Sequence, residues 1–141
     1  MSAFIASGGS QAPHPISNDG WFPDLDGQHM RESLRLDGSI TDARLETAAV
    51  NAVIEVNREL HSWKYRQMAA GYADLASVPA DKIQGESQLL HLYRRAIYCS
   101  AGAELAERMR DYSATGEGAE RAEALTPTTD ADPREARWAV R

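Results

Sequence analysis

The stretch Ala69 to Ser87, reading AAGYADLASVPADKIQGES, separates two long helical patterns by a stop, a spacer and a restart. Gly71 follows a periodic run that ends at Ala70. It can take the left-handed conformation that closes a helix, because it has no Cβ to clash. Pro79 keeps Val78 out of the helical region. Asp81 is placed to cap a short turn, and Gly85-Glu86-Ser87 puts flexibility and first-turn acid just before the next apolar run. The segment is therefore expected to fix how two helices sit against each other.

Upstream of the stop, Leu45, Ala49, Ala52, Val56, Leu60 and Trp63 recur at steps of three or four, the spacing of one helical face. Val50, Val53 and Ile54 widen that stripe. Ser39 or Thr41 can cap this helix, with Asp42 three positions after Ser39 as a short-armed capping box. Nothing in residues 42 to 70 breaks a helix, and at 1.5 Å per residue the element would be roughly 43 Å long. One small core cannot cover that length, so part of it is expected to meet another chain. A shorter helix, about Leu25 to Leu36, is expected before it, capped by Asp24 or Asp26 and closed by Asp37-Gly38.

The second long helix is expected from about Glu86 to Arg110, with Leu89, Tyr93, Ala96 or Ile97, Ser100 and Ala103 along one side. Its middle, Ala-Ile-Tyr-Cys-Ser-Ala-Gly-Ala, lets a neighbouring helix approach closely. Gly102 lowers helix propensity by roughly 1 kcal/mol relative to Ala, so close packing is its expected reason. Residues 113 to 133 carry five acids against one Arg without strong periodicity and read as a mobile loop. Asp132 then caps a last helix with Pro133 at its first position. No alternation of the β type competes with these patterns. The expectation is an all-α fold: two long antiparallel helices, a short N-terminal helix, a C-terminal helix and an extended N-terminal arm. Residues 1–20, rich in Gly, Ser, Pro and Asn, read as that flexible arm. Residues 21–141 read as one α-helical domain.

The net charge of -6 over 141 residues argues against sequence-independent binding along a nucleic-acid backbone, which needs clustered Lys and Arg. The single cysteine, Cys99, excludes an intrachain disulfide and fits a reducing compartment. No run approaches the roughly 18 apolar residues of a membrane span. The first residues lack the basic region and apolar core of a signal peptide, so synthesis in the cytosol is expected.

Chemistry is sparse. His14, His29, His61 and His91 are too scattered for a metal site, and no Glu has a His three residues on. Gly8-Gly9 and Gly116-Glu117-Gly118 neither follow a strand nor open a helix with a Lys, so they read as flexibility. Cys99, mid-helix among small apolar residues, reads as packing. Arg94 and Arg95, followed by Arg108 and Arg110, read as a solvated face paired with Glu104 and Glu107, or more sharply as an ion-pair seam between subunits. Trp63 and Trp138 read as core. Trp21, at the base of the arm, reads equally as core or as an anchor buried by a partner.

Taken in order, Trp21-Phe22-Pro23-Asp24-Leu25-Asp26, Arg31 with Arg35-Leu36, Ala69-Ala70-Gly71, Val78-Pro79-Ala80-Asp81 with Ile83 and Gly85-Glu86-Ser87, Tyr93 with Arg95-Ala96, and Arg137-Trp138-Ala139-Val140 form a specific set. In that order and spacing the chain from Trp21 onward resembles the GpL family of head completion/stabilisation proteins of temperate contractile-tailed phages. The resemblance implies a head-to-tail connector without enzymatic residues or cofactor. It implies a homo-oligomeric ring, typically dodecameric, that assembles beneath the portal protein after DNA packaging, stabilises the filled head and receives a tail-side neck or tail completion protein. Genomic DNA would pass without sequence-specific binding, and acidic residues facing it would repel phosphate. Assembly would occur in the host cytoplasm and the product would reside at the neck of the virion, with no membrane contact.

On this reading Trp21, Phe22, Arg94, Arg95, Arg134, Arg137, Trp138 and Arg141 are candidates for a subunit or portal interface. Glu117, Glu120 and Glu123 are candidates for a channel-facing acidic loop. Two other classes compete: a small cytosolic regulatory binding module acting through its arm and helical face, and an enzyme on a helical scaffold, which would need Cys99 or His91 to be chemically essential.

Overall fold

Asp26 decides where the first helix begins. In the computed structural model, which describes residues 13–113, β1 (Pro15–Ile16) pairs antiparallel with β2 (Leu25–Asp26), Pro15 opposite Asp26 and Ile16 opposite Leu25. The Asp26 carboxylate then accepts the Gln28 amide at 2.9 Å and the His14 amide at 3.1 Å, capping α1 (Gly27–Ser33). A Cβ on Gly27 would lie 2.8 Å from His14 Cδ2 and 3.2 Å from the His14 carbonyl oxygen, so any larger residue would have to displace the His14 ring and crowd the pairing of the two strands. The helix ends earlier than Asp37-Gly38. Arg35 takes the left-handed conformation (φ 53°), and the amides of Arg35 and Leu36 return to the Glu32 and Arg31 carbonyls. Glycine usually fills that position.

Thr41, rather than Ser39, caps α2 (Asp42–Glu59), its hydroxyl accepting the Arg44 amide at 3.2 Å. The long helix expected through Ala70 is interrupted at Leu60 (φ -90°, ψ 0°), and α3 (His61–Ala69) follows it. No Pro or Gly marks the break. Tertiary contacts anchor α3: Trp63 packs edge-on against Trp21 at 5.8 Å, and Lys64 reaches Asp19 at 2.8 Å. α3 stops as expected. Gly71 has φ 97°, and the amides of Gly71 and Tyr72 bond the Met68 and Gln67 carbonyls, the double return that ends a helix on glycine.

The connector contains a single 3₁₀ turn (Leu75–Ser77), capped by Asp74 and not by Asp81. The Asp74 carboxylate accepts the Ser77 amide at 2.8 Å while the Ser77 hydroxyl accepts the Asp74 amide at 3.2 Å. Then β3 (Lys82–Ile83) and β4 (Glu86–Ser87) form a hairpin, Lys82 opposite Ser87. Gln84 (φ 51°) and Gly85 (φ 78°) supply the two positive φ angles of a tight primed turn. α4 (Gln88–Ser113) follows directly, its first amide donating to the Asp81 carbonyl at 2.8 Å.

Among the described residues the fold is therefore mixed, with four helices and two small antiparallel sheets of two strands each, not the all-α class expected. Strands of two residues are too short for alternation to show, and both pairs depend on turns and caps. The helix expected after Asp132 lies outside the described residues. Cross-links at Asn51–Glu104, Glu55–Ser100 and Asn57–Tyr93 run in opposite sequence directions, so α2 and α4 are antiparallel. Their facing side chains make the core, Leu45, Ala49, Ala52 and Val56 against Tyr93, Ala96, Ile97, Ala101 and Leu105. Met30, Leu34 and Leu36 from the first helix and its exit cover one side.

Gly102 has the packing role expected of it, since a Cβ there would meet Leu34 Cδ2 at 3.2 Å. Gly102→Ala is expected to be near neutral, helix propensity offsetting the contact. Gly102→Val is expected to destabilise by about 1–3 kcal/mol, read as the midpoint of urea unfolding.

Candidate assembly surface

None of the nine residues of α3 is buried. Tyr65 is 55% exposed and Met68 46%, three positions apart and so on one face, with His61 edge-on to the Tyr65 ring at 4.6 Å. Val50 (41%) and Ile54 (50%) are exposed on α2 one turn apart. Ile54 and His61 line the same surface depression, so the two faces adjoin. These side chains give the chain's own core nothing.

Their root is rigid. Trp21 is 5% exposed, edge-on to Phe22 at 4.9 Å; its Nε1–H donates to the Tyr72 carbonyl at 3.1 Å, and its own carbonyl accepts the Leu75 amide at 3.0 Å. The Phe22 ring stacks on Tyr93 at 4.6 Å. Behind that stack three side chains donate in a closed cycle: Asn18 Nδ2 to the Tyr93 hydroxyl (2.8 Å), Tyr93 to Asn57 Oδ1 (2.6 Å), and Asn57 Nδ2 to Asn18 Oδ1 (3.0 Å). Burial pushes the Tyr93 hydroxyl well above its usual range, so it stays a neutral donor. Residues 18 to 22 are thus pinned to α2, α4 and the connector at once.

Asp19 completes the clamp. Its carboxylate accepts the amides of Trp21 and Phe22, both at 2.9 Å, and the Lys64 ammonium at 2.8 Å. Partial burial pushes this carboxyl up. The Lys64 bond, the two amides and the Lys64 charge outweigh it and hold Asp19 below the ordinary value of 3.8. The native state therefore binds the proton less readily than the unfolded chain. Asp19 contributes its full stabilisation above its unfolded pKa and loses it as pH falls through the lower native value. Asp19→Asn is expected to be less stable at neutral pH and to show a flatter acid limb between about pH 5 and 2, followed by thermal melting at stepped pH.

The candidates read from sequence fall into three groups. Trp21 and Phe22 are almost wholly buried in their own chain, because the connector, α3 and α4 close over them. Arg94 and Arg95 lie on α4. Arg94 bonds Glu86 of the hairpin at 3.0 Å rather than Glu104 or Glu107, and the bond and charge of Arg94 hold the Glu86 carboxyl below its usual range. Arg95 is exposed, and Arg108 does pair with Glu104, four residues before it, at 3.1 Å. Arg134, Arg137, Trp138, Arg141, Glu117, Glu120 and Glu123 lie outside the described residues.

The sequence reading missed Tyr65 and Met68. Their signal was present as the steps His61, Tyr65, Met68, out of phase with the Trp63 stripe. Of the apolar residues that widened the stripe on α2, Val53 is half-buried while Val50 and Ile54 face outward. Among the described residues no helix is long and apolar enough to cross a membrane, and no group of three His, Cys, Asp or Glu side chains could hold a metal ion.

Comparison with known proteins follows the same outline. A family model described as phage head completion protein (GPL) matches residues 16–141. The head completion/stabilization protein of Escherichia phage P2 is 40% identical over 125 residues, which cover 89% of this chain and 74% of the P2 protein. No solved structure matches this chain.

Proposed function

The chain belongs to the phage head completion protein (GPL) family, and on that premise we propose that it forms a ring beneath the portal once the genome is packaged. The family makes it a structural component of the phage head, a virion protein engaged in capsid assembly. The finer proposal is that copies of the chain join side by side, seal and stabilise the filled head from the neck, and present the surface on which the tail is received. Its partners are then further copies of itself, the portal protein and a tail-side neck protein. Assembly takes place in the host cytoplasm before the product takes its place in the particle.

One observation carries this reading. The chain anchors α3 through Trp63 on Trp21 and Lys64 on Asp19, yet leaves Tyr65 and Met68 about half exposed. An apolar face that is firmly oriented and unused by its own core supports contact with a neighbouring subunit. The acidic balance supports the same reading, because a ring through which DNA passes gains from repelling phosphate. Glu117, Glu120 and Glu123 are the residues proposed to face that passage.

An averaged image of the particle neck tests the proposal. It is expected to show a closed ring of this chain between portal and tail, with α3 at the subunit boundary. Phage lacking the gene is expected to yield heads that lose DNA and stay tailless. Heads that keep their DNA and acquire tails without the protein would refute it.

A further inference from the structure

Between α2 and α4 lies a groove of about 640 Å³. Its lining carries four carboxylates, Glu55, Glu59, Glu104 and Glu107, against one guanidinium, Arg58. The apolar part of the lining is Ala52, Ile54, Val56 and Ala103. Glu104 and Glu55 keep acceptor capacity: Glu104 takes one bond each from Asn51 (3.0 Å) and Arg108 (3.1 Å), and Glu55 a long one from Ser100 (3.4 Å). A groove of this make fits a short helix with cations flanking one flat apolar anchor.

The chain itself carries such a segment. Pro133–Arg141 reads PREARWAVR, with three Arg and one Glu. Asp132-Pro133 is a helix-opening pair, and at helical spacing Arg134, Arg137, Trp138 and Arg141 fall on one face. Guanidiniums bind carboxylates through paired N–H donors, and a flat indole seats well over small side chains. We propose that Pro133–Arg141 docks as a helix in the α2–α4 groove of its own chain. Trp138 lies over Ala52 and Ala103, and Arg134, Arg137 and Arg141 bind the groove carboxylates.

Reach and mass action favour the cis arrangement. α4 is described to Ser113, less than two turns past Glu107. The 19 residues between (114–132) can span at most roughly 65 Å. A tether of that length gives the segment an effective concentration near the millimolar range, above that of a second copy in dilute solution. The inference goes beyond the connector reading and stands or falls separately from it, since it concerns the isolated full chain.

Hydrogen–deuterium exchange on the full chain decides it. The amides of residues 134–141 are expected to exchange at least about tenfold more slowly than an unstructured peptide, with no change over about a hundredfold range of protein concentration. Glu104→Lys with Glu107→Lys is expected to abolish that protection while the amides of α2 and α4 stay protected. Adding Arg134→Glu and Arg137→Glu is expected to restore it. Trp138→Ala is expected to abolish it alone, and decides the matter if the groove variant does not fold. The proposal is overturned if the segment is unprotected in the unmodified chain or indifferent to groove charge. It is equally overturned if protection grows with concentration, which would make a second copy the occupant, or exists only in assembled particles, which would make it another virion protein.

Discussion

Trp21→Ala is expected to cost about 3 to 5 kcal/mol of folding stability, the usual range for emptying a buried aromatic site. Domains of this size have only about 5–15 kcal/mol in hand, so much of the variant is expected to be unfolded at growth temperature. The size of the effect follows from what the indole touches. It is 5% exposed, packed edge-on to both Phe22 and Trp63, and its N–H satisfies the Tyr72 carbonyl. Removing it leaves a cavity, an unpaired carbonyl and an α3 that has lost its root. Trp21→Phe keeps much of the packing and loses the donor, so about 1–3 kcal/mol is expected. Urea unfolding of the two variants checks both figures. A shift for Trp21→Ala within the roughly 0.5 kcal/mol of an ordinary surface change would mean that the side chain is not core.

Tyr65→Glu combined with Met68→Glu is expected to do the reverse, leaving the fold intact and removing assembly. Both side chains are about half exposed and neither belongs to the core, so stability should stay within about 0.5 kcal/mol of the parent. At an interface, two apolar anchors turned into carboxylates facing an apolar partner typically cost about 2–4 kcal/mol or more. That is roughly thirty- to a thousandfold in association for each contact. A ring repeats the loss at every boundary. Phage lacking its own gene and supplied with this variant is expected to produce few DNA-filled, tailed particles. Full rescue would remove α3 from the interface and with it the main support for the ring.

The two experiments separate what the sequence showed from what it hid. The stop at Gly71 was legible because a helix ending on a left-handed glycine is a local event, settled within six residues. The caps were legible as pairs of choices, Asp24 or Asp26 and Ser39 or Thr41. Packing selected Asp26, whose carboxylate also serves the His14 amide, and Thr41. The buried face of α2 was readable from spacing apart from Val50 and Ile54, and that of α4 as far as Ile97, beyond which the core takes Ala101 and Leu105 rather than Ser100 and Ala103. Val50 and Ile54 are apolar, and nothing local says that they look outward. The hairpin at Gln84-Gly85 was hidden because each strand is two residues long. Asp81 was read as a cap when its neighbour seven residues back, Asp74, had the serine needed to close the box.

Trp21 shows the deeper limit. From sequence it was as much a partner's anchor as a core residue, because its burial is decided by Tyr72, 51 positions away, and by Trp63. The break at Leu60 is of the same kind: no residue there is a helix breaker, and the helix that follows is anchored by Trp63 and Lys64 meeting residues 21 and 19. By itself the amino-acid order determined the helical stretches, the stop between them, the small-residue approach at Gly102 and the family. Each of these rests on backbone preference or on side chains three or four residues apart, or on the order of motifs. Only the tertiary structure decided that the fold is mixed, that Trp21 and Phe22 lie inside, and that α3 stands clear with Tyr65 and Met68 outward. Those depend on contacts between distant segments, whose closure entropy is repaid only when the whole core forms.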